Sequence, residues 1–298
     1  MTSSRHRRID EHWRGRGFTI IELLVVVAVI SLILSILAPC VVQVRLRVRQ
    51  LLGAARQRES VQGVTLYAAD NDDEYPESIA TVGLGANWNW QEPMMLTGYR
   101  RINRRYRSMS AYLAGYIEAA DVMYCPGGPR EYPYLQDAWD AGDAWDNPET
   151  PQGEDPVSGT YCFYWDYTGY LVERDKPFQG PRTIAGARGE STLMVTDYFG
   201  YGHHRSPYAF GSCERFSGAD VTPGTVLSSA YWSRPQTFEY QRESVQIGLN
   251  AGYTDGHVET YTSADVETMK VIRDRRTGEP YPEGLGPGDF YLPRKAIR

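Results

Sequence analysis

The stretch Gly15-Arg16-Gly17-Phe18-Thr19-Ile20-Ile21-Glu22-Leu23-Leu24 decides how the rest of the chain is read. A polar, basic leader ends at Gly17, Phe18 opens an apolar run, and one carboxylate, Glu22, lies inside that run. From Leu23 to Val44 there are 22 residues without a charge. A helix rises ~1.5 Å per residue, so this length crosses a hydrocarbon core of ~30 Å. The leader is too polar to be the n-region of an ordinary secretory signal. Arg5, Arg7, Arg8, Arg14 and Arg16 favour a cytoplasmic leader, but Arg45, Arg47 and Arg49 follow the span directly, so charge asymmetry orients it only weakly.

The same residues resemble the processing site of type IV prepilins and type II secretion pseudopilins. Gly17 stands before the cut and Phe18 after it, with Glu22 as the fifth mature residue and Pro39 as the twenty-second. The resemblance implies removal of residues 1–17 by a prepilin peptidase and methylation of the new Phe18 amine. It also implies a single-pass inner-membrane protein with a cytoplasmic N-terminus and a head that is periplasmic, or extracellular after assembly. Its partners would be further copies of itself, other pilin-like subunits and the inner-membrane assembly machinery. A carboxylate in an apolar helix costs roughly 2.5–3.5 kcal/mol at the centre and less near an end. Glu22 either reaches interfacial water or, as the resemblance implies, pairs with the amine of a neighbouring subunit. The adjoining Gly17-Phe18 favours the second reading.

The remainder divides by charge. Residues 1–58 carry ten Arg/Lys against three Asp/Glu, and residues 59–298 carry 21 against 34, balances of +7 and −13. An acidic head argues against nucleic acid as a partner. The expected organisation is a leader over 1–17, a transmembrane helix over 18–44, its amphipathic continuation over 45–70 and an extracytoplasmic head over 71–298. Apolar residues at Val44, Val48, Leu51, Leu52, Ala55, Val61, Val64 and Ala68 recur mostly at steps of three and four, the period of one helical face. One helix is therefore expected from about Thr19 to Asp70, kinked at Pro39 and softer at Gly53 and Gly63.

Beyond the helix, Met109 to Ala119 reads as a short helix entered at Ser108 or Ser110, and Val122 to Pro126 as a strand entering a turn. Residues 126–159 read as loop, containing Asp137-Ala138-Trp139-Asp140 and its echo Asp143-Ala144-Trp145-Asp146. The run from Thr160 to Glu173 is dense in aromatic and β-branched residues and reads as strand, as does Thr192 to Asp197. Residues 198–235 read as loop. Ser244 to Thr254 and His257 to Thr262 form a hairpin about Asp255-Gly256, with a type I′ turn expected. Ser263 to Arg273 reads as a final short helix capped by Ser263, and the tail from Arg276 as loop. One long helix followed by mostly antiparallel strands makes the fold α+β, and pilin-like in the sense of the resemblance. Tyr67-Ala68-Ala69-Asp70-Asn71-Asp72, Tyr124-Cys125-Pro126 and Asp255-Gly256-His257-Val258 resemble landmarks of the branch with a terminal His-x9-Asp-Gly signature. Here Val245 stands where that histidine would be.

Few constellations in the head point to chemistry. Asp70, Asp72, Asp73 and Glu74 are the candidates for calcium, a hard cation that takes several oxygens, although Tyr75 in the sixth loop position excludes an EF-hand. A solvated acidic helix end is the competing and preferred reading. His203-His204 lack helical zinc spacing, and the hairpin turn accounts for Asp255 and Gly256 without catalysis. No G-x-S-x-G, P-loop or H-E-x-x-H pattern occurs. Cys40 falls in the span, leaving Cys125, Cys162 and Cys213 in an oxidising compartment, and sequence proximity alone favours Cys125 with Cys162. The chain is thus expected to be a structural subunit and not an enzyme, without a cofactor unless calcium binds. The alternative is a membrane-tethered binding protein whose Trp139/Trp145 loop stacks on carbohydrate.

Overall fold

The computed structural model describes residues 19–81, 92–98, 107–126, 135–145, 157, 159–200, 210–211, 248–273, 277–281 and 289–297. The chain divides into two units, one through Arg45 and the other from Leu46. Helix α1 runs Ile20–Ala69, 50 residues, and continues through Pro39. In the first unit its side chains from Ile20 to Val41 are all exposed. This is the one helix among the described residues long and apolar enough to cross a membrane.

The second unit begins with the rest of α1, whose buried stripe differs from the expected apolar one. Gly53, Gln57, Ser60, Val61, Val64 and Ala68 face inward. Val48, Leu51 and Leu52 are 45–71% exposed, as is Val44 in the first unit. Gln57 and Ser60 are fully buried polar residues, which apolar periodicity does not register. Gly63 is a contact rather than a weak point, since a Cβ there would lie 2.4 Å from Ile117 Cγ1. After α1, Asp72 and Asp73 take φ of 54° and 62°, which ends the helix.

Helix α2, Met109–Leu113, is capped by the Ser108 side chain accepting from the Ala111 N–H, and stops well short of Ala119. The expected strand at 122–126 is a 3-10 turn over Ala120–Met123. The expected loop contains helix α3, Leu135–Ala141, and a 3-10 turn over Gly142–Ala144. The Asp-Ala-Trp-Asp echo is thus helical at its first copy.

Among the described residues ten strands form two antiparallel sheets. They are β1 Tyr161–Phe163, β2 Thr168–Leu171, β3 Lys176–Gln179, β4 Leu193–Asp197, β5 Phe199–Gly200, β6 Phe210–Gly211, β7 Gly248–Tyr253, β8 Val258–Thr262, β9 Val266–Val271 and β10 Asp289–Pro293. The four-stranded sheet has order β1-β4-β7-β8, and the six-stranded sheet β3-β2-β9-β10-β5-β6. The aromatic run at 160–173 is therefore two strands in different sheets. Asp166 at φ 47° breaks it, and the Tyr167 N–H closes the turn on the Tyr164 carbonyl at 3.1 Å.

Two further expectations are corrected. Ser263–Asp265 is only a 3-10 turn, closed by a reciprocal Thr262/Asp265 capping box, and the chain then enters β9 rather than a helix. Val266, Thr268 and Val271 are β-branched and β9 is buried along most of its length, the setting in which such residues favour a strand. The tail is not all loop either, for β10 pairs with β9 and β5 inside the larger sheet. The core joins Val61, Val64 and Ala68 of α1 to Leu113, Tyr161, Tyr164, Trp165, Val195 and Phe290, all buried.

Candidate functional site

The start of α1 is the first site. The Thr19 N–H and the Thr19 hydroxyl both donate to Glu22 Oε2 at 2.8 Å, and the Glu22 N–H donates back to Thr19 Oγ1 at 3.2 Å. Thr19-Ile20-Ile21-Glu22 is a capping box, in which N-cap hydroxyl and N3 carboxylate satisfy helix-end donors reciprocally. Glu22 is thus neither idle nor simply solvated. Its Oε1 accepts from no described residue, and the bonded amide of Thr19 is the one that follows Phe18. Sequence reasoning does not single out Thr19, although the T-x-x-E spacing before an apolar run is its signature. Gly17 and Phe18 lie outside the described residues.

The second half of α1 is held on the head by polar contacts. Gln57 Nε2 donates to Asp197 Oδ1 at 3.0 Å and to the Asn250 carbonyl at 3.3 Å. The Asn250 N–H donates to Asp197 Oδ2 at 2.9 Å, and Tyr161 OH to the Gly53 carbonyl at 3.1 Å. Arg56 donates to the Tyr124 carbonyl at 2.9 Å and to Asp121 at 3.2 Å. Asp197 sits on β4, beside β7, which supplies Asn250. A buried carboxylate is tolerable only when its oxygens are bonded, so this cluster sets how α1 registers on the four-stranded sheet.

The remaining candidates do not converge. Tyr116 OH donates to Asp70 Oδ2 at 3.0 Å, and Glu74 bridges by backbone to Thr183. Among the described residues no group of three His, Cys, Asp or Glu side chains is placed to hold a metal, so Asp70, Asp72, Asp73 and Glu74 do not form a ligand set. His203 and His204 lie outside the described residues.

The expected Cys125–Cys162 pair is overturned, for Cys125 is disulfide-bonded whereas Cys162 is a free thiol. Cys162 is fully enclosed on β1, and burial pushes its thiol well above the usual range. Proximity in sequence is no guide here, because β1 points Cys162 into the core. Cys40 is also free and exposed on the apolar half of α1.

Trp139 and Trp145 are only 4% and 6% exposed, and Trp139 Nε1 donates to the Ile117 carbonyl at 3.1 Å. They are packing residues, and their burial does not fit the alternative reading of this loop as a surface that stacks on carbohydrate.

The Asp255-Gly256 hairpin is real but its turn is not type I′. Gly256 has φ 81° and Asp255 is not at positive φ. The Gly256 N–H bonds the Tyr253 carbonyl at 2.8 Å and the Tyr253 N–H the His257 carbonyl at 3.0 Å. This is a three-residue loop with glycine at the left-handed position.

Comparison with known proteins bears on the first site. Residues 14–38 match the prokaryotic N-terminal methylation motif. The chain is 31% identical over 71 residues to the type IV wide pilus major component PilA4 of Thermus thermophilus, a stretch covering 24% of this chain and 54% of that protein. The chain therefore spans about half the length of this relative. No solved structure matches.

Proposed function

We propose that this prepilin-like chain, with its methylation motif at residues 14–38, is a membrane-anchored structural subunit of a type IV pilus or secretion pseudopilus and not an enzyme. The observation that carries the reading is the conjunction of that motif with a wholly exposed apolar span, Ile20–Val41, whose single carboxylate is held at its first turn. Cleavage after Gly17 by a prepilin peptidase frees the Phe18 amine, which is then methylated. The leader is cytoplasmic and the head lies on the far side of the inner membrane until assembly moves it outward.

Assembly follows from what α1 leaves uncovered. The side chains from Ile20 to Val41 are exposed, and so are Val44, Val48, Leu51 and Leu52 beyond them. In lipid the spanning surface is solvated by acyl chains. Outside lipid it must be covered, and the same surface on neighbouring copies and other pilin-like subunits is the matching partner. Glu22 then leaves the membrane interface with one oxygen satisfied by Thr19 and the other open to a positive amine from the adjacent subunit. The inner-membrane assembly machinery would supply the work of extraction.

Intact mass and N-terminal sequencing of the membrane-extracted protein test the reading. The expected chain begins at N-methylated Phe18. A product that keeps residues 1–17 overturns it.

A further inference from the structure

A cavity of about 410 Å³ opens in the head where the β7–β8 hairpin meets the 3-10 turn Arg294–Ala296. Its lining includes Tyr253, Asp255, His257, Glu259, Tyr261 and Lys295. A Cβ added at Gly252 would lie 3.5 Å from Val61 Cγ2 of α1, so this residue marks the helix-facing side of β7. Successive strand residues face opposite ways, so Tyr253 belongs to the side turned from α1.

The lining is ordered by its own bonds. The Tyr253 and Tyr261 hydroxyls lie 2.6 Å apart, Tyr261 OH donates to Glu259 Oε2 at 2.7 Å, and Lys295 Nζ donates to the same oxygen at 3.2 Å. Asp255 Oδ1 takes the His257 N–H at 3.1 Å and pairs with its Nδ1. Each carboxylate thus commits one oxygen. Asp255 Oδ2 and Glu259 Oε1 accept from no described residue. The bonds of Tyr261 and Lys295 hold Glu259 below the usual carboxylate range. Burial alone would raise Asp255, but its bonds to His257 outweigh that and lower it. Both are anionic at neutral pH, with the Lys295 ammonium beside Glu259. The His257 ring stacks on Tyr253 at 4.4 Å and 10°, covering one imidazole face, while its side chain is 51% exposed.

A ligand that fits must be cationic, carry more than one donor, and be flat enough to lie on the imidazole. A guanidinium has all three properties, since its planar fork bonds carboxylate oxygens and stacks on aromatic faces, whereas an ammonium offers charge without the plane. We propose that this cavity is a recognition pocket for an arginine side chain presented by another polypeptide. The proposal stands apart from the subunit reading, because it rests on the hairpin and not on α1.

The test is isothermal titration of the full chain in detergent with acetyl-arginine amide, acetyl-lysine amide and acetyl-glutamine amide. Saturable binding of the arginine compound is expected, with the lysine compound several-fold weaker and no binding of the glutamine compound. Asp255→Asn, which keeps the acceptor for the His257 N–H, and Glu259→Gln should each weaken binding about tenfold or more, as loss of a charged hydrogen bond does. Unchanged thermal unfolding would show that both variants fold. Lys295→Ala removes the competing cation and should tighten binding several-fold, an effect that a purely structural lysine would not produce. Sedimentation with and without the arginine compound distinguishes the sources. Dissociation of oligomers identifies a second copy as the donor, and unchanged mass with binding intact identifies a different protein. Absence of saturable heat, equal binding of the glutamine compound, or weaker binding by Lys295→Ala overturns the proposal.

Discussion

Replacing Gln57 with leucine tests whether the buried cluster under α1 holds the helix to the head. Leucine matches glutamine closely in volume, so little cavity or overpacking term is added. What is lost is the 3.0 Å bond to the Asp197 carboxylate and the 3.3 Å bond to the Asn250 carbonyl. A hydrogen bond to a charged group contributes about 1.5–3 kcal/mol and a neutral one about 1 kcal/mol, giving a loss of roughly 2.5–4 kcal/mol. The apolar gain from a buried leucine offsets part of this, since each buried methylene contributes about 0.8 kcal/mol. A net loss near 2 kcal/mol corresponds to a fall in Tm of about 4–8 °C for a domain of this size. The assay is thermal unfolding of the full chain in detergent, followed by near-ultraviolet circular dichroism, which reports the aromatic core and not helix content. The double variant with Asp197→Asn should recover part of the loss, because the amide carries no charge to strand. A Tm within about 1 °C of wild type, or an additive double variant, would refute the argument that Asp197 depends on Gln57.

Three further outcomes are expected. Glu22→Ala should insert and be cleaved, yet give at least about tenfold fewer subunit–subunit cysteine crosslinks or sheared assemblies; equal assembly would favour a tethered binding protein. In a peptide map without reduction the Cys125 peptide should be cross-linked while the Cys40 and Cys162 peptides carry free thiols, and reduction should cost ~2–4 kcal/mol; a Cys125–Cys162 peptide would contradict the fold. For Glu190, burial alone would raise the carboxyl, but bonds from Arg182 and the Ala187 N–H outweigh it and hold it below the usual range. Its stabilisation is therefore present at neutral pH and lost as pH falls below about 4.3, so acid titration of Tm should be flatter in Glu190→Gln. Glu267 acts in the opposite direction, because burial raises its pKa and its contribution weakens as pH rises through the ordinary glutamate range.

What is legible in the sequence is whatever local pattern alone decides. The bounds of α1 follow from an uncharged run and a turn-rich stop, and the Asp-Gly hairpin lies where turn chemistry puts it. Illegible features depend on partners distant in the chain. Gln57 and Ser60 look like a polar face until Asp197, 140 residues away from Gln57, is known to bond the first of them. The buried Glu267 gives β9 an irregular pattern because Arg174 reaches it from the β2–β3 turn at 2.9 Å. Trp139 and Trp145 look exposed because loop composition conceals packing, whereas a seven-residue helix and the 3-10 turn after it bring both indoles into the core. The capping box at Thr19 is readable from its spacing, but the methylation landmarks around Glu22 draw attention away from it.

The place of β10 bears on when the head can fold. This strand lies between β9 and β5, so the larger sheet cannot close until residues 289–293 are available. A ribosome delivers about 5–20 residues per second, far slower than a hairpin forms, so the early strands wait without their neighbours. A head of this topology completes itself only late in synthesis, and its larger sheet gains its central partner with the last strand to be made.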